Sequence, residues 1–203
     1  MSANRLARHL VIDQFLPPDL HDALLAHALD NAARFEPSEV RPGDRGYIDP
    51  DIRRSLLLDI GLGALEQAFQ AAITARLDEL CAGAGIAPFA IVRAECELAA
   101  HGDGHFFRIH HDTLVEQGRT STRTDRMLSL VYYFHRQPPG FSAGELAVYP
   151  FGGGEPVLIE PRDNRLVAFA AMTPHEVLPV RCPSGQFEDY RFAINCWLHR
   201  ARQ

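Results

Sequence analysis

The sequence predicts a mainly β fold, a sandwich or barrel of short strands, with N-terminal helices packed on the outer face of one sheet. Three observations carry this. Apolar residues at helical spacing cluster before Pro88, at Leu20, Leu24, Leu25 and Leu29 and again at Leu62, Leu65, Phe69, Ile73 and Leu77. After Pro88 the chain turns to short apolar runs at fairly even spacing. Clusters such as Pro138-Pro139-Gly140, Gly152-Gly153-Gly154 and Cys182-Pro183-Ser184-Gly185 punctuate those runs as turns.

The elements follow in order. A short apolar stretch, Leu10-Val11-Ile12, leads through Phe15-Leu16-Pro17-Pro18 to Asp19, the N-cap or first-turn residue of the first helix. The segment from Pro37 to Pro50 is rich in Pro, Gly, Asp and Arg and reads as an exposed loop. Arg53-Arg54-Ser55 reads as a solvated helix start, and the second helix ends before Gly83 and Gly85. Strands are expected over 89–99, 106–112, 127–134, 145–149, 156–160, 165–170, 175–180 and 190–198. The longest gap between them, residues 113–126, carries Arg119, Arg123 and Arg126 among Thr and Ser and reads as a long polar loop, either a lid or a disordered, solvated segment. No linker or repeat divides the 203 residues, so one domain is expected, with helical support over 1–87 and a β core over 88–200.

Composition removes several functions. The formal net charge of −6 weighs against nonspecific binding of nucleic acid or anionic membrane, both of which need a basic surface. Arg53-Arg54 is too short to make one. No apolar run reaches the ~18 residues of a membrane span. The first fifteen residues show no secretion signal, and none of the four cysteines forms a Cys-x-x-Cys pair, so a reduced, cytoplasmic protein is expected. Gly152-Gly153-Gly154 lacks the Lys-Ser/Thr of a phosphate loop.

The chemistry gathers on His110, Asp112 and His175. In a strand, residues i and i+2 face the same way, so His110 and Asp112 share a face. His175, far downstream, adds the third ligand of a 2-His-1-carboxylate iron site, whose opposite face stays open. His111 is the rival to His110, but in a strand it points away from Asp112. Four of the ten histidines (His101, His105, His110, His111) fall in the window 101–111, where composition alone expects about one-half. In the run 190–198, Arg191, Ala193, Asn195 and Trp197 share one face, and Phe192, Ile194, Cys196 and Leu198 the other. An arginine inside so apolar a strand is costly to bury unless it meets an anion, and its planar fork suits a carboxylate.

Taken together and in order, these residues resemble the Fe(II)- and 2-oxoglutarate-dependent dioxygenases, in particular the prolyl-4-hydroxylase-like branch. The resemblance runs from about Cys96 to Leu198. It is carried by His101-Gly102-Asp103-Gly104 followed by His110-His111-Asp112, by Arg126 to Phe134, and by Ala143-Gly144-Glu145-Leu146. It continues through Pro161 to Phe169, His175-Glu176-Val177-Leu178-Pro179-Val180, Arg191 and Trp197. His101 stands where the family usually has Tyr, Ala143 replaces a Gly, and the gap from His175 to Arg191 is longer than in some relatives.

The resemblance implies a double-stranded β-helix (jelly roll, cupin-like), with Fe(II) bound by His110, Asp112 and His175. It implies that Arg191 holds the distal carboxylate of 2-oxoglutarate, with Ser129, Tyr133 and His101 lining that site. O₂ is the oxidant, ascorbate a possible reductant, and succinate and CO₂ the coproducts. The expected reaction is hydroxylation of an unactivated C–H bond, first of all in a proline or other amino-acid unit, free or in a peptide or protein. Arg119, Arg123, Arg126 and Trp197 are candidate substrate contacts. Neither nucleic acid nor membrane is an expected partner, and nothing in the sequence sets an oligomeric state. Two other readings stand beside it: a non-catalytic jelly-roll binding module, and a cupin-like metalloenzyme that does not use 2-oxoglutarate.

Overall fold

The structure is a computed structural model; it describes residues 7–39, 47–113 and 123–202. In chain order it runs β1 (Leu10–Asp13), α1 (Pro18–Asp30), β2 (Phe35–Pro37), β3 (Arg53–Arg54), β4 (Leu56–Leu58), α2 (Glu66–Thr74) and α3 (Leu77–Ala84). Then come β5 (Arg93–His101), β6 (Phe106–His110), β7 (Thr124–Phe134), β8 (Ser142–Ala143) and β9 (Leu146–Val148). The chain finishes with β10 (Val157–Ile159), β11 (Arg165–Ala170), β12 (His175–Val177), β13 (Val180–Arg181) and β14 (Arg191–Ala201).

The strands form a seven-stranded sheet ordered β1-β11-β7-β14-β5-β4-β2 and a five-stranded sheet ordered β10-β9-β12-β6-β3, with a small β13-β8 pair beside them. Every pairing is antiparallel. Among the described residues the two large sheets share no strand, so they make a sandwich rather than a closed barrel.

The two faces of the large sheet explain its sequence. Phe192, Ile194, Cys196 and Leu198 of β14 join Leu98, Leu128, Leu130, Tyr132 and Leu166 on the outer face. There Leu24, Ala28, Leu62, Phe69, Ile73 and Leu80 of the helical layer cover them, as expected. The inner face carries Val131, Tyr133, Val167, Phe169 and Ala193, which pack against Leu146, Val148 and Ile159 of the small sheet. Strand β11 is buried along its whole length. Its run of apolar residues is the mark of a strand covered on both faces.

The helices start and stop for local reasons. Pro18 occupies the first turn of α1, where its fixed φ costs no hydrogen bond, and Asp19 sits in the same turn against the helix dipole. The expected second helix is two, because α2 ends at Thr74 and α3 restarts at Leu77 after Ala75 and Arg76. Continuous helical spacing from Leu62 to Leu77 concealed the break, since both short helices turn their apolar sides to the same sheet. Gly85 closes α3 with φ +73°, a left-handed conformation that favours glycine.

Three differences bear on the site. Strand β5 runs from Arg93 to His101, not over 89–99. Arg53-Arg54 is a short strand paired with Phe106-Phe107, not a helix start, and Arg53 is buried. Strand β6 stops at His110, two residues before Asp112. Strands β1, β2 and β4, all before residue 88, also join the large sheet. Among the described residues no helix is long and apolar enough to cross a membrane.

Candidate metal and cosubstrate centre

His110 and His175 are brought together by sheet register. They are direct partners in the antiparallel pairing of β6 and β12, with ring centroids 4.2 Å apart. Asp112 reaches them from beyond the strand end. Its N–H donates to the carbonyl of Ala171 at 2.9 Å, which ties the chain after β6 to the end of β11. His110 Nε2 lies 3.7 Å from Asp112 Oδ1, and His175 Nε2 lies 3.5 Å from Asp112 Oδ2. One ligand atom from each of the three falls within 4.8 Å of the others.

Each of these side chains is held by a neighbour. His110 Nδ1–H donates to the Arg108 carbonyl at 2.7 Å, and His175 Nδ1–H to the Thr173 carbonyl at 2.9 Å. Those bonds fix the tautomer that leaves a lone pair on each Nε2, facing Asp112. The Ser129 hydroxyl donates to Asp112 Oδ2 at 2.6 Å. Phe107 stacks on His110 at 3.6 Å, and the ring of Phe169 lies 4.6 Å from His175. Burial, and after it the neighbouring His175, push the His110 imidazole down to about 3, so the ring is neutral at physiological pH. Burial alone would raise the Asp112 carboxyl, but the His175 and His110 rings and the Ser129 and Trp197 donors outweigh it. Two imidazoles and a carboxylate are the donor set of a facial iron site.

Arg191, from the first position of β14, lines the same pocket. It is 1% exposed, and its Nε and Nη1 have no hydrogen-bond partner among the described residues. Its Cζ lies 5.0 Å from the Tyr133 ring, whose buried hydroxyl also lacks a partner. His101 is its register partner on β5, with a buried, unpartnered Nδ1. Burial, and then the Arg191 charge, lower the His101 imidazole well below its ordinary value. Gly144, at φ +76°, lies against this arginine; a Cβ there would meet Val180 at 2.6 Å and Arg191 Nε at 3.3 Å. The buried cation and the unused hydrogen-bonding groups beside it fit an incoming carboxylate.

The remaining sequence candidates separate. Ser129 faces the pocket side but spends its hydroxyl on Asp112. Arg126 is tied to Glu95 at 2.9 Å, reaches the Asp112 carbonyl at 3.4 Å, and lies 4.0 Å from the Trp197 ring. Trp197 lines the pocket. Arg123 is exposed. Arg119 and most of the expected lid lie outside the described residues. His111 is exposed, with its Nδ1 at 2.9 Å from Thr113 Oγ1. His105 accepts from the Gly102 N–H at 3.0 Å.

Sequence reasoning passed over two pocket residues, Arg53 and Glu97. Their Nη2 and Oε2 lie 3.8 Å apart. Glu97 alternates with Cys96 and Leu98, which face the helices, and that alternation is the signal that could have turned it inward.

Residues 96–199 match the family model described as the 2OG-Fe(II) oxygenase superfamily. A PKHD-type hydroxylase of Synechocystis sp., itself described as uncharacterized, is 29% identical over 198 residues, which cover 93% of this chain. The chain spans 62% of that relative's length. A Pseudomonas putida prolyl-4-hydroxylase structure is similar at 25% identity and TM-score 0.69, covering 96% of this chain and 94% of that one. The fold also resembles that of a Trichoplax adhaerens prolyl hydroxylase in complex with a hypoxia inducible factor oxygen degradation domain peptide fragment. That likeness has 21% identity and TM-score 0.67, and covers 95% of this chain and 83% of the other. The two facing sheets are thus the jelly roll that the sequence led us to expect.

Proposed function

Because the chain belongs to the 2OG-Fe(II) oxygenase superfamily, we propose that it is a hydroxylase of the prolyl-hydroxylase type in which His110, Asp112 and His175 hold Fe(II). In the same reading Arg191 binds the distal carboxylate of 2-oxoglutarate. The observation that carries it is the guanidinium of Arg191, fully buried and, among the described residues, without a hydrogen-bond partner on Nε and Nη1, in the pocket that holds the three ligands. A buried cation without an anion is strongly unfavourable, and a dicarboxylate supplies the missing charge. Tyr133 and His101 offer further polar atoms to the same group.

When bound, iron and 2-oxoglutarate supply the oxidising chemistry: one oxygen atom of O₂ goes to a substrate C–H bond and the other to succinate, with release of CO₂. The chain's own residues bind, orient and exclude water. The Arg108 and Thr173 carbonyls set the imidazole tautomers, Ser129 holds one carboxylate oxygen of Asp112, and Phe107 and Phe169 pack on the histidines. The described chain acts as one unit, with the helical layer bracing the large sheet. The substrate is a proline or another amino-acid unit. The prolyl hydroxylases among the similar structures support that class. A cupin-like metalloenzyme without 2-oxoglutarate leaves the charge of Arg191 unanswered, and a binding module has no need of the complete trio.

Incubation with Fe(II), 2-oxoglutarate, ascorbate and O₂ in the presence of amino acids and peptides tests the proposal. A substrate mass gain of one oxygen, matched by succinate, supports it; the absence of both removes it.

A further inference from the structure

We propose that Arg53 and Glu97 form a clamp for a zwitterion, so that the substrate is a free α-amino acid rather than a residue inside a peptide. The inference rests on the hydroxylase reading above and narrows its substrate.

The two residues reach the pocket from opposite sheets, Arg53 from β3 and Glu97 from β5. Arg53 is 9% exposed and held in place: its Nε donates to Ser55 Oγ at 2.9 Å, Ser55 Oγ pairs with Ser38 Oγ at 2.8 Å, and its Cζ lies 4.9 Å from the Phe107 ring. Both Nη groups remain outside any hydrogen bond among the described residues, so the fork is oriented but unused. A third of the Glu97 side-chain surface is accessible, yet its Oε2 is enclosed and has no hydrogen-bond partner among the described residues. Burial raises the Glu97 carboxyl above its ordinary value, and the Arg53 charge only partly offsets this.

The two charges attract across 3.8 Å without closing to a hydrogen bond. A molecule with an ammonium and a carboxylate on one carbon closes that gap. Its carboxylate takes the free Nη groups of Arg53 as a fork, and its ammonium donates to Glu97. The opposite charges then alternate around a ring, and each buried group gains the partner it lacks. An amino acid within a peptide offers neutral amides at both ends, so neither charge gains a charged hydrogen-bond partner on closure. Arg53 sits opposite Phe107, and Phe107 stacks on His110, so the clamp adjoins the ligand trio.

The test is calorimetric binding to the anaerobic full chain loaded with Fe(II) and 2-oxoglutarate. The probes are the twenty L-amino acids, each beside its N-acetyl and its C-terminal amide form. At least one free amino acid should bind, and blocking either end should weaken it about tenfold or more, the scale of one charge-assisted hydrogen bond. Glu97→Gln, close in shape, should weaken the free amino acid by a similar factor while 2-oxoglutarate affinity stays the same. Blocked forms that bind as tightly as the free amino acid overturn the clamp. So does a panel in which no amino acid binds although 2-oxoglutarate does, a result that leaves the oxygenase reading intact. Failure of 2-oxoglutarate itself to bind removes both. The blocked-ligand comparison uses the unaltered chain, so it decides the matter even if Glu97→Gln fails to fold.

Discussion

His110 and His175 face each other across the β6–β12 pair, each with Nδ1 fixed by a backbone carbonyl two residues before it. Each carbonyl turns the other ring nitrogen, Nε2, toward the Asp112 carboxylate. The trio is therefore set by strand register and main-chain hydrogen bonds, and several consequences can be measured.

Replacing a ligand should abolish metal retention. His175→Ala should weaken Fe(II) binding well beyond the roughly 10- to 100-fold cost of losing an outer partner. Metal content after dialysis, with thermal melting to show that the chain still folds, checks this.

Ser129→Ala should act through Asp112. It removes the donor 2.6 Å from Oδ2 and leaves that oxygen free to turn away. We expect Fe(II) affinity to fall about 10- to 100-fold with the fold intact. An unchanged affinity in a metal titration would show that Ser129 does not position the carboxylate.

Arg191→Met should have two opposite effects. Removing a buried, unpartnered cation should stabilise the protein lacking cosubstrate by about 1–3 kcal/mol. The same change should cost about 2 kcal/mol of 2-oxoglutarate affinity, roughly 30-fold. In thermal melts the variant should start higher than the parent and gain little on adding 2-oxoglutarate. A parent-like rise with 2-oxoglutarate would show that the anion anchors elsewhere.

Acid stability should depend on Glu95. Burial alone would raise its carboxyl, but His199 and the guanidiniums of Arg126 and Arg93 outweigh burial and hold it at about 2, below the ordinary 4.5. The stability it contributes is fully present above pH 4.5 and is lost as pH falls toward 2. Discounted for its partial exposure, that contribution is about 2 kcal/mol at pH 7. Glu95→Gln should lose it at pH 7 and show a flatter decline between those two values, measured by denaturant unfolding across the range.

Much of the site was legible because its signals are local or periodic. The His-x-Asp spacing and the two-faced pattern of residues 190–198 survive in the fold, and of the histidine cluster His101 and His110 line the pocket while His105 and His111 do not. The trio converges even though its strand argument holds only to His110, because the Ala171 carbonyl carries Asp112 onward. Arg53 was hidden because a two-residue strand has no periodicity, and its partner β6 lies far along the chain. Arg126 read as a loop residue, but pairing of β7 with β14 draws it onto Trp197 and Glu95. The break between α2 and α3 was hidden because both halves serve one sheet.

The most direct test of the central claim is anaerobic titration of 2-oxoglutarate into the Fe(II)-loaded protein, followed by the weak visible charge-transfer absorption of the iron–cosubstrate chelate. The parent should develop the band and saturate, His175→Ala should show none, and Arg191→Met should need far more 2-oxoglutarate. A parent that never develops the band, or a His175→Ala variant that develops it undiminished, would contradict the assignment of His110, Asp112 and His175 to one ferrous ion.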